Sequence, residues 1–235
     1  MSEGRERQAT ARIGVLPRRA LVPVAVAAAF LYSNFLIDWV LRGFHGLDIV
    51  VSLLASPGQP NAAVLRVTDV VCAVLVLLLL PAFFAALPPG PTRKVVAWTM
   101  VAFALGVVAA VIVPAPCGPE HLCASTSDRL DEPIHDAASI LSEVSLFVSA
   151  AATWFAMRST GPNWFRRAAW GTFWVGGVAL NLLFGWYLEV SDSPTAEGLA
   201  GYVQRLHILS VSAWILCIGI HASRAAPLCA EEEPW

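Results

Sequence analysis

Six long apolar runs occupy most of this chain, and they constrain its fold more than any other feature. Each run is roughly 20 residues long, the length that a helix needs to cross about 30 Å of hydrocarbon. The runs are approximately Ala20 to Leu41, Leu65 to Leu87, Lys94 to Val113, Ile134 to Met157, Ala168 to Leu188 and Leu199 to Ser223. None of them alternates as barrel strands do, and a helix satisfies its own backbone inside lipid. The chain is therefore predicted to be an all-α, polytopic membrane protein, a bundle of six transmembrane helices.

The composition agrees with this class and sets the domain organisation. Hydrophobic residues make up 57% of the chain and charged residues 14%, whereas soluble domains carry about 25% charged residues. We expect a basic segment at residues 1–19, one transmembrane domain at 20–226 and an acidic tail at 227–235. The net charge of −2 indicates no nucleic-acid partner.

The cations alternate between successive connections, and this predicts the orientation. Connections rich in Arg and Lys are retained in the cytoplasm. The basic stretches are Arg5 to Arg19, Arg93 with Lys94, Arg158 to Arg167, and Arg224. The other three connections are acidic or balanced. Both termini are therefore predicted to be cytoplasmic, in a multi-pass protein of the plasma membrane.

Two of the five cysteines lie in a connection that is predicted to be external. Cys117 and Cys123 flank a Gly-Pro turn, and an oxidising compartment would preserve a disulfide between them. A metal site that combines them with His121 is the competing interpretation, although the spacing matches no standard zinc pattern. Cys72 and Cys217 are predicted to be small apolar helix residues.

Polar residues inside the apolar runs concentrate in the predicted outer half of the bundle. They are Asp38, Asp69, His135, Asp136, Gln204, Arg205 and His207. Glu143 lies deeper, roughly 13 Å below the surface at 1.5 Å per residue. Because charged groups at bilayer depth usually face a bundle interior or a water-filled cavity, we expect a cavity that opens to the outside.

These groups support three interpretations. A carboxylate at the depth of Glu143 should be protonated or paired with a cation, and Arg205 is the candidate cation for Asp69, Asp136 or Glu143. On the sixth helix, Arg205 and His207 are about 200° apart and cannot point the same way. The set is a polar network that fixes helix register, a catalytic acid–base set, or part of a transport path. The catalytic candidates are His135, Asp136, Glu143 and His207.

Signatures of specific chemistry are absent from the sequence. No nucleophile elbow, P-loop or His-x-x-x-His pair occurs. A metal shared by His135, Asp136 and His207 across helices has only weak support, and we expect no metal and no other cofactor. Transport is disfavoured because the six helices are predicted to be uninterrupted and without an internal repeat. The glycines of the fifth helix, Gly176, Gly177 and Gly185, are predicted to be close-packing points.

Short motifs in a fixed order resemble the DUF998 family of bacterial and archaeal membrane proteins. The motifs are Leu54-Ala55-Ser56-Pro57-Gly58-Gln59-Pro60, Arg66-x-x-Asp69, Pro114-x-x-Cys117, His135 with Ser139 and Ser142, and Gly201-x-x-Gln204-Arg205 with Trp214. The resemblance implies six membrane helices and supplies no catalytic residue, since the function of the family is unknown. Family members often carry an Asp ahead of the cysteine, where this chain has Val113-Pro114-Ala115-Pro116.

The resemblance selects a subset of the polar residues near the external boundary. The predicted binding residues are Arg66, Asp69, Gln204 and Arg205, and His135 also lies at a motif position. Arg66 and Arg205 are predicted to meet the phosphate of a lipid or isoprenoid headgroup. The alternatives are a membrane-embedded enzyme at the outer leaflet, and a transporter or accessory subunit. The expected partners are membrane lipids and a second copy of the chain.

Overall fold

The computed structural model describes residues 16–116, 126–189 and 194–225, and the regular elements in these ranges are all helical. The all-α prediction is therefore confirmed. The predicted disulfide cysteines, Cys117 and Cys123, lie outside the described residues, as do residues 1–15 and the acidic tail. Within the described part of the chain, Cys72 and Cys217 are free thiols.

The helices follow one another as the apolar runs predicted, with additional short elements. They are α1 Arg18–Tyr32, α2 Phe35–Leu41, α3 Val51–Leu54, α4 Ala62–Ala86, α5 Pro91–Ile112, α6 Thr126–Met157, α7 Asn163–Gly171, a π-helical segment Thr172–Leu180, α8 Asn181–Glu189 and α9 Pro194–Arg224. Among the described residues, five helices are long and apolar enough to cross a membrane, with Asn163–Tyr187 counted as one. The pair α1 and α2 makes a sixth if it is one span. The chain is a multi-pass membrane protein.

The first predicted helix is broken, contrary to the expectation of uninterrupted helices. The axes of α1 and α2 differ by 58° at the break, where Ser33 and Asn34 are buried. Ser33 Oγ lies 2.8 Å from Ser212 Oγ of α9, and the Asn34 amide donates to α4. Asn34 makes no capping hydrogen bond to its own backbone, so the break is held by the contact with α4. Uninterrupted helices therefore no longer count against a transporter.

Two glycines of the π-helical segment let α6 and α9 approach the fifth predicted span closely. A Cβ on Gly177 would lie 2.7 Å from Phe147 Cγ of α6, and one on Gly176 would meet Ser210 of α9. The close-packing prediction is confirmed for these two glycines. It is wrong for Gly185, where a Cβ would have no atom of the described residues within 4 Å.

The apolar core fills the half of the bundle where α4 and α9 end. Its largest fully buried side chains include Phe83, Phe165 and Trp214. Phe165 stacks on Trp214 and on His221, with ring centroids 5.3 and 4.0 Å away. The opposite half of the bundle, where α4 and α9 begin, is packed less completely and holds the cavity described below.

Replacing Gly106 with alanine should loosen the contact between α5 and α6. A Cβ at this position would lie 2.7 Å from the Ser142 backbone nitrogen and 2.8 Å from the Ala138 carbonyl oxygen. Since the obstacle is helix backbone, the two helices must separate, and we expect a loss of about 2 kcal/mol in the free energy of unfolding. Thermal unfolding in detergent measures it. Gly171, where a Cβ would have no atom within 4 Å, is the control; equal melting temperatures for the two alanine variants would contradict the prediction.

Candidate functional site

A cavity of about 120 Å³ lies between the helices at the end of the bundle where α4 and α9 begin. Residues of α3, α4, α5, α6 and α9 and of the break after α1 line it. Its polar lining residues are Asn34, Ser52, Arg66, Asp69, His135, Ser139, Ser142, Glu143 and Gln204. That volume holds several water molecules or a small polar group.

Asp69 is held in the cavity wall by the break between α1 and α2. Asn34 Nδ2 lies 2.7 Å from Asp69 Oδ1, 3.1 Å from Thr68 Oγ1 and 3.1 Å from the Leu65 carbonyl oxygen. All three neighbours can accept, so the amide nitrogen must face them, and its two hydrogens are shared among three acceptors. The break in the first span thus positions one carboxyl group of the cavity.

Arg66 is the cation of the cavity wall. It lies one turn before Asp69 on α4, and its Nε donates to the Ala62 carbonyl oxygen at 3.3 Å. In the described part of the chain it makes no ion pair. Its terminal guanidinium nitrogens have no partner among the described residues, and a guanidinium can bind a phosphate or carboxylate through two parallel hydrogen bonds.

His135 is buried, lines the cavity and is oriented by the end of α5. Its Nδ1 lies 2.9 Å from the Val113 carbonyl oxygen and 3.2 Å from that of Ala110. Because both neighbours are acceptors, Nδ1 carries a hydrogen, and Nε2 of the neutral ring holds a lone pair. Nε2 has no hydrogen-bond partner among the described residues.

Glu143 lines the cavity eight residues further along α6, about 12 Å deeper than His135. Its side chain is 26% exposed, and its Oε1 lies 3.5 Å from His207 Nε2 of α9. That separation is longer than a normal hydrogen bond. His207 is buried behind Glu143, where its ring packs edge-on against Phe147 at 5.1 Å. Glu143 therefore faces the cavity without a hydrogen-bond donor from the described residues.

The segment at residues 43–61, which we name the cap segment, borders the cavity and is clamped by α9. Gln204 Oε1 accepts a hydrogen bond from the Val51 backbone N–H at the start of α3. Arg205 donates from Nη1 to the Ile49 carbonyl at 2.7 Å and from Nη2 to that of Gly46 at 2.9 Å. A Cβ on Gly201 would collide with the Asp48 carbonyl. The Gly201-x-x-Gln204-Arg205 motif thus holds the cap segment against α9.

The other edge of the cap segment is fixed to α2. Arg42 Nε donates to both carboxylate oxygens of Asp38, at 3.0 and 2.9 Å, and its Nη2 donates to Gln59 Oε1 at 3.1 Å. Asn61 Nδ2 donates to Asp38 Oδ1 at 2.8 Å. Asp38 is buried, and these donors satisfy its charge. Asp38 is therefore committed to holding the cap segment.

The structure brings some of the predicted site residues together and separates others. Four of the predicted residues share the cavity wall with Gln204: Arg66, Asp69, His135 and Glu143. Asp136 is exposed on α6 and is not among the described residues that line the cavity. His207 does not line the cavity either, because it lies behind Glu143. Arg205 binds carbonyl oxygens instead of the carboxylates that the sequence suggested. It does point away from His207, as their 200° separation predicted.

The described residues contain no candidate metal site. No three His, Cys, Asp or Glu side chains there lie close enough to share an ion. His135 is held by α5 and His207 packs beside Glu143, while Asp136 is exposed, so these three do not converge.

The roles of Asn34 and of the cap segment were not predicted from the sequence. Asn34 was visible as a polar residue inside the first apolar run, next to Ser33. Its importance comes from the contact with Asp69, a residue 35 positions away. The polar stretch between the first two runs carried no pattern that predicts a cap.

Comparison with known proteins gives a family and no activity. A family model described as "Protein of unknown function (DUF998)" matches residues 24–221. The chain belongs to this family. The match begins within α1 and ends within α9, and it includes all of the described residues that line the cavity. No curated protein and no solved structure matches the chain.

Proposed function

We propose that this DUF998 protein binds the phosphate-bearing headgroup of a membrane lipid in the cavity. The observation that carries the proposal is Arg66, a guanidinium in the cavity wall with no ion pair among the described residues. A cation in a partly buried site is costly unless an anion accompanies it. Phosphate is the abundant anion at the membrane boundary, and Arg binds it in a bidentate manner.

We place the cavity at the outer leaflet of the membrane. The basic connections lie at the end of the bundle opposite to the cavity, which supports cytoplasmic termini in the plasma membrane by the positive-inside rule. Arg66 lies in the second turn of α4, near the predicted external boundary, where lipid phosphates are found. Gln204 and Arg205 contribute indirectly, because they hold the cap segment that borders the cavity.

Replacing Arg66 with alanine is expected to remove the bound lipid. Phosphate-bearing lipids that co-purify with the protein in mild detergent would be quantified by mass spectrometry, per mole of protein. We expect wild type to be enriched in at least one class relative to the membrane, and Arg66→Ala to lose about tenfold of it, which corresponds to about 1.4 kcal/mol. Arg66→Lys keeps the charge without the planar fork and should retain an intermediate amount.

Arg129→Ala is the matched control, since it removes an exposed arginine at the same end of the bundle. It should keep the wild-type lipid. Among the described residues Arg66 makes a single hydrogen bond, to its own helix, so its loss should leave the melting temperature of the lipid-free protein nearly unchanged. No enrichment in wild type, or equal retention by Arg66→Ala, would refute headgroup binding.

A membrane-embedded enzyme is the second candidate, and His135 supports it. Its Nδ1 hydrogen is committed to two carbonyl oxygens, and Nε2 is buried without a hydrogen-bond partner among the described residues. In the neutral ring this nitrogen would accept a proton from a substrate bound against it. Such a base would act on the same lipid. His135→Asn should then keep lipid binding while abolishing any conversion of the retained lipid by wild type, followed by mass spectrometry over time. Unchanged lipid after prolonged incubation with wild type would argue for binding alone.

A further inference from the structure

The cavity holds ionisable groups of both signs that do not pair with one another. Arg66, Asp69 and Glu143 all line it. Among the described residues, two pairs of oppositely ionisable groups are in close contact: Arg42 with Asp38, and His207 with Glu143. Arg66 is therefore paired with neither acid of the cavity. Groups of opposite sign that stay apart across a partly buried space favour a ligand with its own separated charges, because each charge of the ligand then meets a group whose charged form it stabilises.

The two acids offer free acceptor oxygens to such a ligand. Asp69 accepts from Asn34 through Oδ1, and its second oxygen has no donor among the described residues. Glu143 accepts no normal hydrogen bond in the described part of the chain, because His207 Nε2 stands off at 3.5 Å. A primary ammonium has three donors and no acceptor, which suits a wall that supplies carboxylate oxygens.

The lining favours a primary ammonium over a quaternary one. Quaternary ammonium groups are bound by cages of aromatic rings. Among the described residues that line the cavity, Tyr32 is the one Phe, Tyr or Trp, which is too few for an aromatic cage. The acidic groups of this lining are Asp69 and Glu143. Carboxylates can hydrogen-bond to a primary ammonium and cannot do so to a choline group.

The residues that line the cavity extend over about two turns of α6. His135 contacts the end of α5, whereas Ser142, next to Glu143, packs against Gly106 about two turns further from that end. Seven residues at 1.5 Å per residue correspond to about 10 Å. Arg66 lies one turn from Asp69 on α4, so a phosphate at Arg66 leaves the deeper part of the cavity for the amine.

We infer that the cavity recognises a phosphoethanolamine group, with the phosphate on Arg66 and the primary ammonium on Glu143 and Asp69. The inference rests on the proposed function and specifies its ligand. The same chemistry occurs in a phosphatidylethanolamine headgroup and in free O-phosphoethanolamine. The lipid is the source that the proposed function requires.

A competition between lipids for retention by the protein tests the recognition of phosphoethanolamine. Purified protein in nanodiscs of equimolar phosphatidylethanolamine, phosphatidylcholine and phosphatidylglycerol would be extracted into detergent, and the retained lipids would be counted by mass spectrometry. We expect wild type to retain phosphatidylethanolamine at least fivefold over each of the others. Glu143→Gln should remove that preference over phosphatidylglycerol. Glu132→Gln, the same change at an exposed position of α6, should keep it.

Asp69→Asn provides a second test if Glu143→Gln does not fold, since asparagine keeps an oxygen for Asn34 while it removes the charge. It too should lower the preference for phosphatidylethanolamine. Preferential retention of phosphatidylglycerol by wild type would overturn the zwitterionic ligand and leave headgroup binding intact. Retention of no lipid would overturn both.

Free O-phosphoethanolamine separates the two sources of the ligand. Added to wild type in lipid-free detergent, it should raise the melting temperature less than phosphatidylethanolamine does at the same concentration. A larger increase with the free compound would keep the charge recognition and overturn the lipid as its source. No increase with either compound would overturn the inference.

Discussion

Alanine in place of Gly201 is expected to detach the cap segment from α9 and to lower the free energy of unfolding by about 3 kcal/mol. A Cβ there would overlap with the carbonyl group of Asp48 and lie 3.1 Å from the Ile49 carbonyl carbon. These are backbone atoms of the cap segment, so no rotation of a side chain relieves the collision. Alanine is intrinsically about 1 kcal/mol better than glycine in a helix, so helix propensity acts in the opposite direction.

Thermal unfolding in detergent gives the change in stability, and hydrogen exchange followed by mass spectrometry gives its location. Peptides from residues 43–61 should exchange faster in Gly201→Ala, while those from α4 and α5 stay protected. Gly185→Ala is the control, because a Cβ there would have no atom within 4 Å. If both alanine variants melted at the wild-type temperature, the close contact between Gly201 and the cap segment would be refuted.

Removing the Arg205 side chain should release the same segment by a different route. The guanidinium is buried and donates to carbonyl oxygens of Gly46, Ile49 and Gly201, at 2.9, 2.7 and 2.9 Å. Hydrogen bonds to charged groups contribute about 1.5 to 3 kcal/mol each and are not additive. We expect Arg205→Ala to lower the free energy of unfolding by about 3 kcal/mol. Arg205→Lys cannot reproduce the fork and should lose a large part of that.

The melting temperature and exchange in residues 43–61 again provide the measurement. Arg158→Ala, which removes an exposed arginine at the other end of the bundle, should behave as wild type. Because Gly201 and Arg205 hold one segment, the double variant should lose less than the sum of the single losses. Full additivity would show that the two residues stabilise separate parts of the protein. Lipid loss from Arg205→Ala should accompany the loosened cap segment. In Arg66→Ala the lipid should be lost while the lipid-free protein keeps the stability of lipid-free wild type.

The helices of this protein were predictable because their cause is local. A run of about 20 apolar residues must be helical in lipid whatever surrounds it, since its backbone polar groups have no other partner. The break at Ser33 and Asn34 was missed because the run is long and apolar on both sides of it. What decides the break is that Asn34 donates to Leu65, Thr68 and Asp69 on another helix.

The cavity was predictable in part for the same reason. Polar residues in the outer half of an apolar bundle need solvation or partners, and the sequence therefore predicted a shared space for Asp69, His135 and Glu143. The sequence could not show which of the two arginines is free to bind a ligand. Arg66 and Arg205 both lie at motif positions near one boundary, and each could have met a ligand.

The amino-acid sequence by itself determined that this chain crosses a membrane as helices, and that its ionisable groups gather towards one end of the bundle. The tertiary structure decided which of those groups remain free. Arg205 meets the carbonyl oxygens of a segment more than 150 residues away, whereas the one hydrogen bond of Arg66 within the described part of the chain is to its own helix. Hydrogen-bond partners are set by which distant atoms packing brings within 3 Å, and no periodicity or spacing along the chain contains that information.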